Sequence, residues 1–423
     1  MRAAVRFLIS FLVLIIAIAM SFAGPRLVLQ TKLSQAAGAG LTACTRSPLC
    51  NASLARAPRL SYWLASTASA SRSYSATARN GSQMPKFTYQ ISASYSAKGH
   101  QFNPEYNLFN HNPFVRLTKK GGHKRPASGQ DSFFVNQIGD TGAVAFGVAD
   151  GVGGWTESGI DPADYAHGLC DYMAVAANGY PEGFAKGPLH PKDLLQIGHD
   201  NVTSDDSIIG GGSTACIAAA EPNGSVEVAN LGDSGFIHLG LNAVRYFSPP
   251  QTHAFNTPYQ MSKIPAQMLA QMKLFGGSAA HAETPKDSAV TNHKVKHGDV
   301  LVFATDGVWD NLSPQDVLTI VGKNMTALGG WIDAREEFVV SPHLRNLTER
   351  GGMSKSENNT LQALIALAVT GEAKAASLNT RRDGPFAKEV QKYYPGENWH
   401  GGKPDDICVV VAIAIEDGRE SKL

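Results

Sequence analysis

Phe146-Gly147-Val148-Ala149-Asp150-Gly151-Val152-Gly153-Gly154-Trp155 lies at the centre of this chain's organisation. An apolar run of small and β-branched residues, Ala143 to Ala149, reads as a buried strand that stops at an aspartate followed by three glycines within four residues. A carboxylate therefore stands at a strand end. Glycines there let the backbone turn sharply and leave a carbonyl and a carboxylate bare on one side, a usual way to present oxygen ligands to a hard cation. One Asp-Gly after a strand is an ordinary turn. Its recurrence downstream gives it chemical meaning.

Val300 to Thr305 is a second apolar strand, and it too ends in acid and glycine, Asp306-Gly307-Val308-Trp309-Asp310. Near the C-terminus the order is mirrored, with Lys403-Pro404-Asp405-Asp406 leading into Ile407 to Ile415. If this last strand runs antiparallel to the other two, its start lies beside their ends. Acids from distant parts of the chain then meet at one sheet edge. Asp131, just ahead of Ser132 to Ile138, and Asp233 in Asn230-Leu231-Gly232-Asp233-Ser234-Gly235 are placed to join them. Clustered carboxylates repel one another and resist desolvation unless a cation cancels their charge. With oxygen donors and no paired His or Cys, Mg2+ or Mn2+ is favoured over zinc or copper. Acids enough for more than one ion make a two-metal hydrolytic site the natural reading.

The chain has 423 residues, 43% hydrophobic and 17% charged, with a formal net charge of +1, which allows a sizeable core and gives no sign of nucleic-acid binding. Cys44, Cys50, Cys170, Cys216 and Cys408 form no CxxC pair, which argues against a disulfide framework or a thiolate zinc site. The apolar run Phe7 to Ala23 follows Arg2 and Arg6, long for the core of a signal peptide and short for a membrane span. No Asp or Glu precedes Glu105, while Arg26, Arg46, Arg56, Arg59, Arg72 and Arg79 recur among Ser and Ala, the composition of an organellar transit peptide. Arg72-Ser73-Tyr74-Ser75 resembles a matrix-processing site cut after Tyr74. The expectation is a mitochondrial matrix protein with a targeting segment over residues 1–84. The alternative is a membrane-anchored or secretory form that retains the first apolar run.

From about Pro85 to the end the composition is that of one globular domain, residues 85–423, with a polar surface insertion near 331–359. Strand-like runs occupy Ser132 to Ile138, Ala143 to Ala149, Thr214 to Ala220, Val226 to Leu231, Phe236 to Leu239, Val300 to Thr305 and Ile407 to Ile415. Short turns such as Pro222-Asn223-Gly224 favour antiparallel hairpins. Asp161-Pro162 and Ser313-Pro314 offer N-caps for helices over Ala163 to Ala177 and Gln315 to Gly322, and Thr360 to Val369 is a third helix. The class is α+β.

Phe146 to Trp155, Gly212-Ser213-Thr214-Ala215, Asn230 to Gly235, Asp306 to Asp310 and Asp405-Asp406 resemble, in order, the motifs of the metal-dependent protein phosphatases, the type-2C Ser/Thr phosphatase family. Gln251-Thr252-His253-Ala254-Phe255-Asn256-Thr257-Pro258-Tyr259-Gln260, with valine after the first Asp-Gly, is similar to the mitochondrial branch of that family. The resemblance implies a four-layer α-β-β-α sandwich of two antiparallel sheets flanked by helices. It also implies hydrolysis of phosphoserine and phosphothreonine by a water activated between two Mg2+ or Mn2+ ions, with Asp150 and Asp306 central to catalysis. By position, Asp150 bridges both ions, the Gly151 carbonyl binds one, Asp306 and Asp405 hold the other, and Asp131 acts on the first through water. Asp233, Asp306 and Asp310 match a weaker third site. Implied partners are mitochondrial phosphoproteins, coenzyme Q biosynthesis among their pathways.

Three positions depart from the family pattern. Val152 stands where many relatives carry a histidine, a proton donor to the leaving oxygen. The phosphate-gripping arginine has only Lys124 and Arg125 nearby, and Gln130 replaces the acid common before Asp131; Arg125 is carried to the role. A catalytically weak pseudophosphatase that binds phosphoproteins is the alternative function. His167 reads as a packed or surface helix histidine rather than a ligand, Trp155 and Trp309 as packing under the cleft, and Gly210 to Thr214 as a sheet turn lacking the P-loop lysine.

Overall fold

The structure is a computed structural model that describes residues 86–122, 124–181, 187–274, 283–335, 337–349 and 360–418. The apolar run Phe7 to Ala23 and the Arg72 to Ser75 motif lie outside the described residues. Among the described residues no helix is long and apolar enough to cross a membrane.

The main strands are β1 (Phe87–Ser96), β2 (Leu108–Asn110), β3 (Asp131–Gln137), β4 (Val144–Asp150), β5 (Ala215–Ala220) and β6 (Ser225–Leu231), followed by β7 (Gly235–Gly240), β8 (Ala243–Phe247), β9 (Ala289–Lys294), β10 (Val300–Ala304) and β11 (Ile407–Glu416). They form a six-stranded sheet in the order β2-β1-β11-β10-β7-β8 and a five-stranded sheet in the order β9-β6-β5-β4-β3. All pairings between neighbours are antiparallel. The helices are α1 (Pro162–Gly179), α2 (Pro191–Ser204), α3 (Pro314–Ala327), α4 (Leu361–Ser377) and α5 (Pro385–Tyr393).

The continuous apolar runs have a simple cause: their strands are buried on both faces. In β4, Val144, Phe146 and Val148 point into the core between the sheets, while Ala145 and Ala149 face α1 and α2. In β11, Cys408, Val410, Ala412 and Ala414 join the inter-sheet core, and Ile407, Val409, Val411, Ile413 and Ile415 pack with α3 and α4. Phe303 ties the sheets together, edge-on at 5.2 Å to Phe146 of the five-stranded sheet, and stacks at 5.0 Å on Phe236, its neighbour in its own sheet. The result is the expected sandwich of helices, two antiparallel sheets, and helices.

Asp161 accepts from the Ala163 N–H at 3.1 Å to start α1, and Ser313 and Asp316 form a reciprocal capping box at α3. The stretch from Trp331 does not begin on the surface. Trp331 is fully buried with its indole N–H donating to the Gly298 carbonyl at 3.0 Å, and Trp331–Asp333 pairs with Phe338–Val340. A large indole with a partnered N–H anchors this hairpin to the core. Residues 350–359 lie outside the described residues.

Candidate active site

The acids meet because of strand direction. Asp131 opens β3 and pairs in register with Asp150, which closes β4. On the other sheet, Ala304 at the end of β10 pairs with Val409 near the start of β11, so Asp306 and Asp405 emerge at the same edge. Asp233 follows the end of β6, whose Leu231 pairs with Ala215 at the start of β5. Between the sheets, Thr305 Oγ1 donates to Asp131 Oδ2 at 2.7 Å and accepts from the Cys408 N–H at 3.0 Å.

The glycines of the motifs permit close backbone approach. A Cβ on Gly307 would collide with the Asp406 carbonyl, and one on Gly151 would stand 2.8 Å from the Gln130 carbonyl. Gly307 therefore lets the Asp405 segment lie against Asp306. The Gly212 to Thr214 and Gly232 to Ser234 motifs interlock behind Asp150: its carbonyl accepts from the Thr214 N–H at 2.9 Å, and Thr214 Oγ1 lies 2.7 Å from Ser234 Oγ.

The adjacent acids Asp405 and Asp406 differ in use. Asp406 is buried and accepts from the backbone N–H groups of Lys98 at 2.5 Å and Gln130 at 2.8 Å. Asp405 is only half-buried, 3.3 Å from Lys98 Nζ and 3.2 Å from Lys403 Nζ.

The electrostatics are those of crowded carboxylates. Burial, then Asp406, pushes Asp131 well above the ordinary carboxylate range. Burial, then Asp131 and Asp306, does the same to Asp150. Burial and Asp306 lift Asp233 to about 7, and the same causes raise Asp310. Burial and Asp306 also raise Asp405. At Asp306 burial is outweighed by the Lys403 ammonium and by hydrogen bonds from Asp150 and Asp310, which hold its carboxyl below the ordinary range.

Among the described residues no three acidic, imidazole or thiol side chains form a ready-made cage around one point. The donor set nevertheless fits a divalent cation: it is all oxygen, it repels itself, and burial opposes its charge.

Arg125 is engaged with exposed acids at the start of α1, 3.1 Å from Asp164 Oδ1 and 3.7 Å from Asp161 Oδ2. His167 is buried with Nε2 3.3 Å from the Gly129 carbonyl, and burial lowers its pKa to about 4. Trp155 Nε1 donates to Gln260 at 3.0 Å and Trp309 Nε1 to the Ala304 carbonyl at 2.8 Å, so both indoles are structural. The sequence reading missed Thr305, Asn311 and Lys403. Lys403 and Asn311 sit within or next to the acid motifs, and that adjacency was the signal available.

No family model matches the chain. The mitochondrial protein phosphatase 2C homolog 7 of Saccharomyces cerevisiae is 29% identical over 335 residues, covering 78% of this chain and 84% of that protein. The protein phosphatase PTC7 homolog fig of Drosophila yakuba is 30% identical over 322 residues, 73% of this chain and 86% of that protein. The X-ray structure of the photosystem II phosphatase PBCP aligns with 22% identity over 77% of this chain and 98% of that chain, at a TM-score of 0.49. The chain belongs to the protein phosphatase 2C family, with the PTC7 homologues among its relatives. It is a metal-dependent protein serine/threonine phosphatase, and its substrates are phosphoproteins.

Proposed function

We propose that phosphoserine and phosphothreonine are hydrolysed at the acid edge between the sheets, with two Mg2+ or Mn2+ ions. Asp150, the Gly151 carbonyl and Asp131 would hold one ion, and Asp150, Asp306 and Asp405 the other. The observation that carries this reading is the meeting of acids from both sheets at one edge: Asp131 pairs in register with Asp150, and Thr305, next to Asp306, donates across the sheets to Asp131 at 2.7 Å. When bound, such ions activate water and offset charge on the phosphoryl oxygens. The chain's part is to hold the carboxylates in place: Thr305 on Asp131, Thr214 behind the Asp150 peptide, Gly307 against the Asp406 backbone. Arg125 is assigned to the phosphate. Its exposed pairs with Asp161 and Asp164 are of the kind worth little in water, so leaving them costs little.

Phosphate release from a phosphothreonine peptide, measured with Mn2+, with Mg2+ and with excess EDTA, tests the reading. Release with either ion and none in EDTA is expected. Undiminished release in EDTA, or silence of the folded protein with both ions, overturns it.

We assign the protein to the mitochondrial matrix. The yeast relative bears a mitochondrial name, and the acid-free, Arg/Ser/Ala-rich residues 1–84 supply a targeting segment. Enzymes of coenzyme Q biosynthesis are the substrates to try first, on the resemblance to the mitochondrial branch. The N-terminus of the mature chain is expected at Ser75. A mature chain still carrying Phe7 to Ala23 contradicts the matrix assignment.

A further inference from the structure

Aromatic side chains gather beside the acid edge, brought there by two elements that are each rooted on an acid motif. The hairpin of Thr252–Ala254 with Thr257–Pro258 carries Phe255 at its turn, and at its base the Gln251 N–H donates to the Gly232 carbonyl at 2.8 Å, next to Asp233. α5 carries Phe386, whose N–H donates to the Asp310 carbonyl at 3.0 Å. Phe255 meets Phe386 at 5.2 Å, Tyr393 at 5.8 Å and Tyr394 at 5.7 Å, and Phe386 meets Trp399 at 5.5 Å. The loop after α5 is tied back to the helix. Asp383 accepts from Gln391 Nε2 at 2.9 Å and from the Gly401 N–H at 2.8 Å, and Gln391 Nε2 also donates to the Trp399 carbonyl at 3.0 Å. The outer rings nevertheless stay open to water: Tyr393, Tyr394 and Trp399 are 55%, 52% and 41% exposed.

Tyr and Trp held in place offer large apolar faces at little cost in freedom, which is why they carry much of the energy of protein recognition. Position decides the partner. Lys403 Nζ lies 2.7 Å from Asp306 Oδ2 and 5.0 Å from the centre of the Phe386 ring, so the cluster begins one side chain away from the acids. A phosphoprotein with its phosphate at the acid edge reaches the rings with about two to four extended residues, at roughly 3.3–3.6 Å each. We propose that this cluster is a docking surface for the substrate chain, and that it selects phosphoproteins with a large apolar side chain, aromatic or aliphatic, at that distance from the phosphorylated residue. The inference rests on the placement of hydrolysis at the acid edge and deepens it. Phe255, Tyr394 and Trp399 set specificity without touching the phosphate.

Labelled peptides carrying the non-hydrolysable phosphonate analogue of phosphoserine test this, with Phe or Ser placed in turn at each nearby position on either side. Binding to the full chain in Mn2+ is read by fluorescence anisotropy. At one or more positions the Phe peptide is expected to bind on the order of tenfold more tightly than its Ser counterpart. The double variant Tyr394→Ala, Trp399→Ala is expected to lose most of that preference. Equal binding of Phe and Ser peptides at every position overturns the proposal, as does a preference that survives in the folded double variant. If the double variant does not fold, the wild-type comparison and Phe255→Ala decide the matter. A wild-type dimer that the double variant dissociates gives the face to a second copy of the chain and also overturns it. Phosphothreonine peptides left intact with Mn2+ and with Mg2+, while the phosphonate peptides still bind with the expected preference, remove the hydrolytic reading and leave the docking surface standing.

Discussion

Asp405 and Asp406 are neighbours with opposite employment, and substitution separates them. Asp406 accepts two backbone N–H groups in a buried position, so Asp406→Ala strands the Lys98 and Gln130 amides. Its cost is about 2–3 kcal/mol, read as a lower urea midpoint. Asp405→Asn relieves a crowded carboxylate and leaves stability nearly unchanged, yet cuts phosphate release on the order of a hundredfold or more, since a metal supplies several kcal/mol. Equal loss of stability in both variants contradicts the division of labour. The raised carboxyls also give the metal-free protein a pH dependence. A carboxyl whose folded pKa is raised keeps its proton where the unfolded chain has lost it, so its stabilisation is present at low pH and fades as pH climbs towards the folded value. For Asp233 that window runs from about 4 to about 7. Asp306, held below the ordinary range, is already ionised there and does not oppose the trend. In EDTA the melting temperature is expected to be higher at pH 5 than at pH 8, with the slope flattened by Mn2+. A melting temperature that rises with pH in EDTA contradicts this.

At the level of elements, Gly307 is the joint between β10 and β11. Gly307→Ala forces the Asp306 turn away from the Asp406 carbonyl, so both thermal stability and the number of bound ions are expected to fall, measured by melting and by native mass spectrometry. Asp161→Ala and Ser313→Ala remove the caps of α1 and α3 and are expected to cost about 1 kcal/mol each, with phosphate release unaltered. The same caps explain why those two helices could be read from the sequence. α2 and α5 were missed because His190 and Gly384 offer no capping side chain. Strands buried on both faces announce themselves as unbroken apolar runs, as β4, β10 and β11 do. β1 does not, because Ser92, Ser94 and Ser96 are buried where apolar residues would mark a strand. The aspartates were readable from acid and glycine at strand ends. Lys403 was not, since a lysine beside acids looks like surface charge until Asn311 and Phe386 are found around it.

For the molecule as a whole, the two sheets are what make the site. Asp131 and Asp150 belong to the five-stranded sheet, Asp306 and Asp405 to the ends of strands in the six-stranded one. Activity therefore depends on the sheets staying stacked through Phe146, Phe236 and Phe303. Phe303→Ala, which opens a cavity in that core, is expected to cost about 3–5 kcal/mol and to lower the melting temperature with metal or without it. The most direct test of the account joins metal occupancy to turnover: Mn2+ binding and phosphate release from a phosphothreonine peptide, measured together for the wild type and Asp306→Asn. The account predicts that the folded variant binds fewer ions than the wild type and releases no phosphate above background. An Asp306→Asn chain that binds the full complement of ions and turns over like the wild type would contradict it.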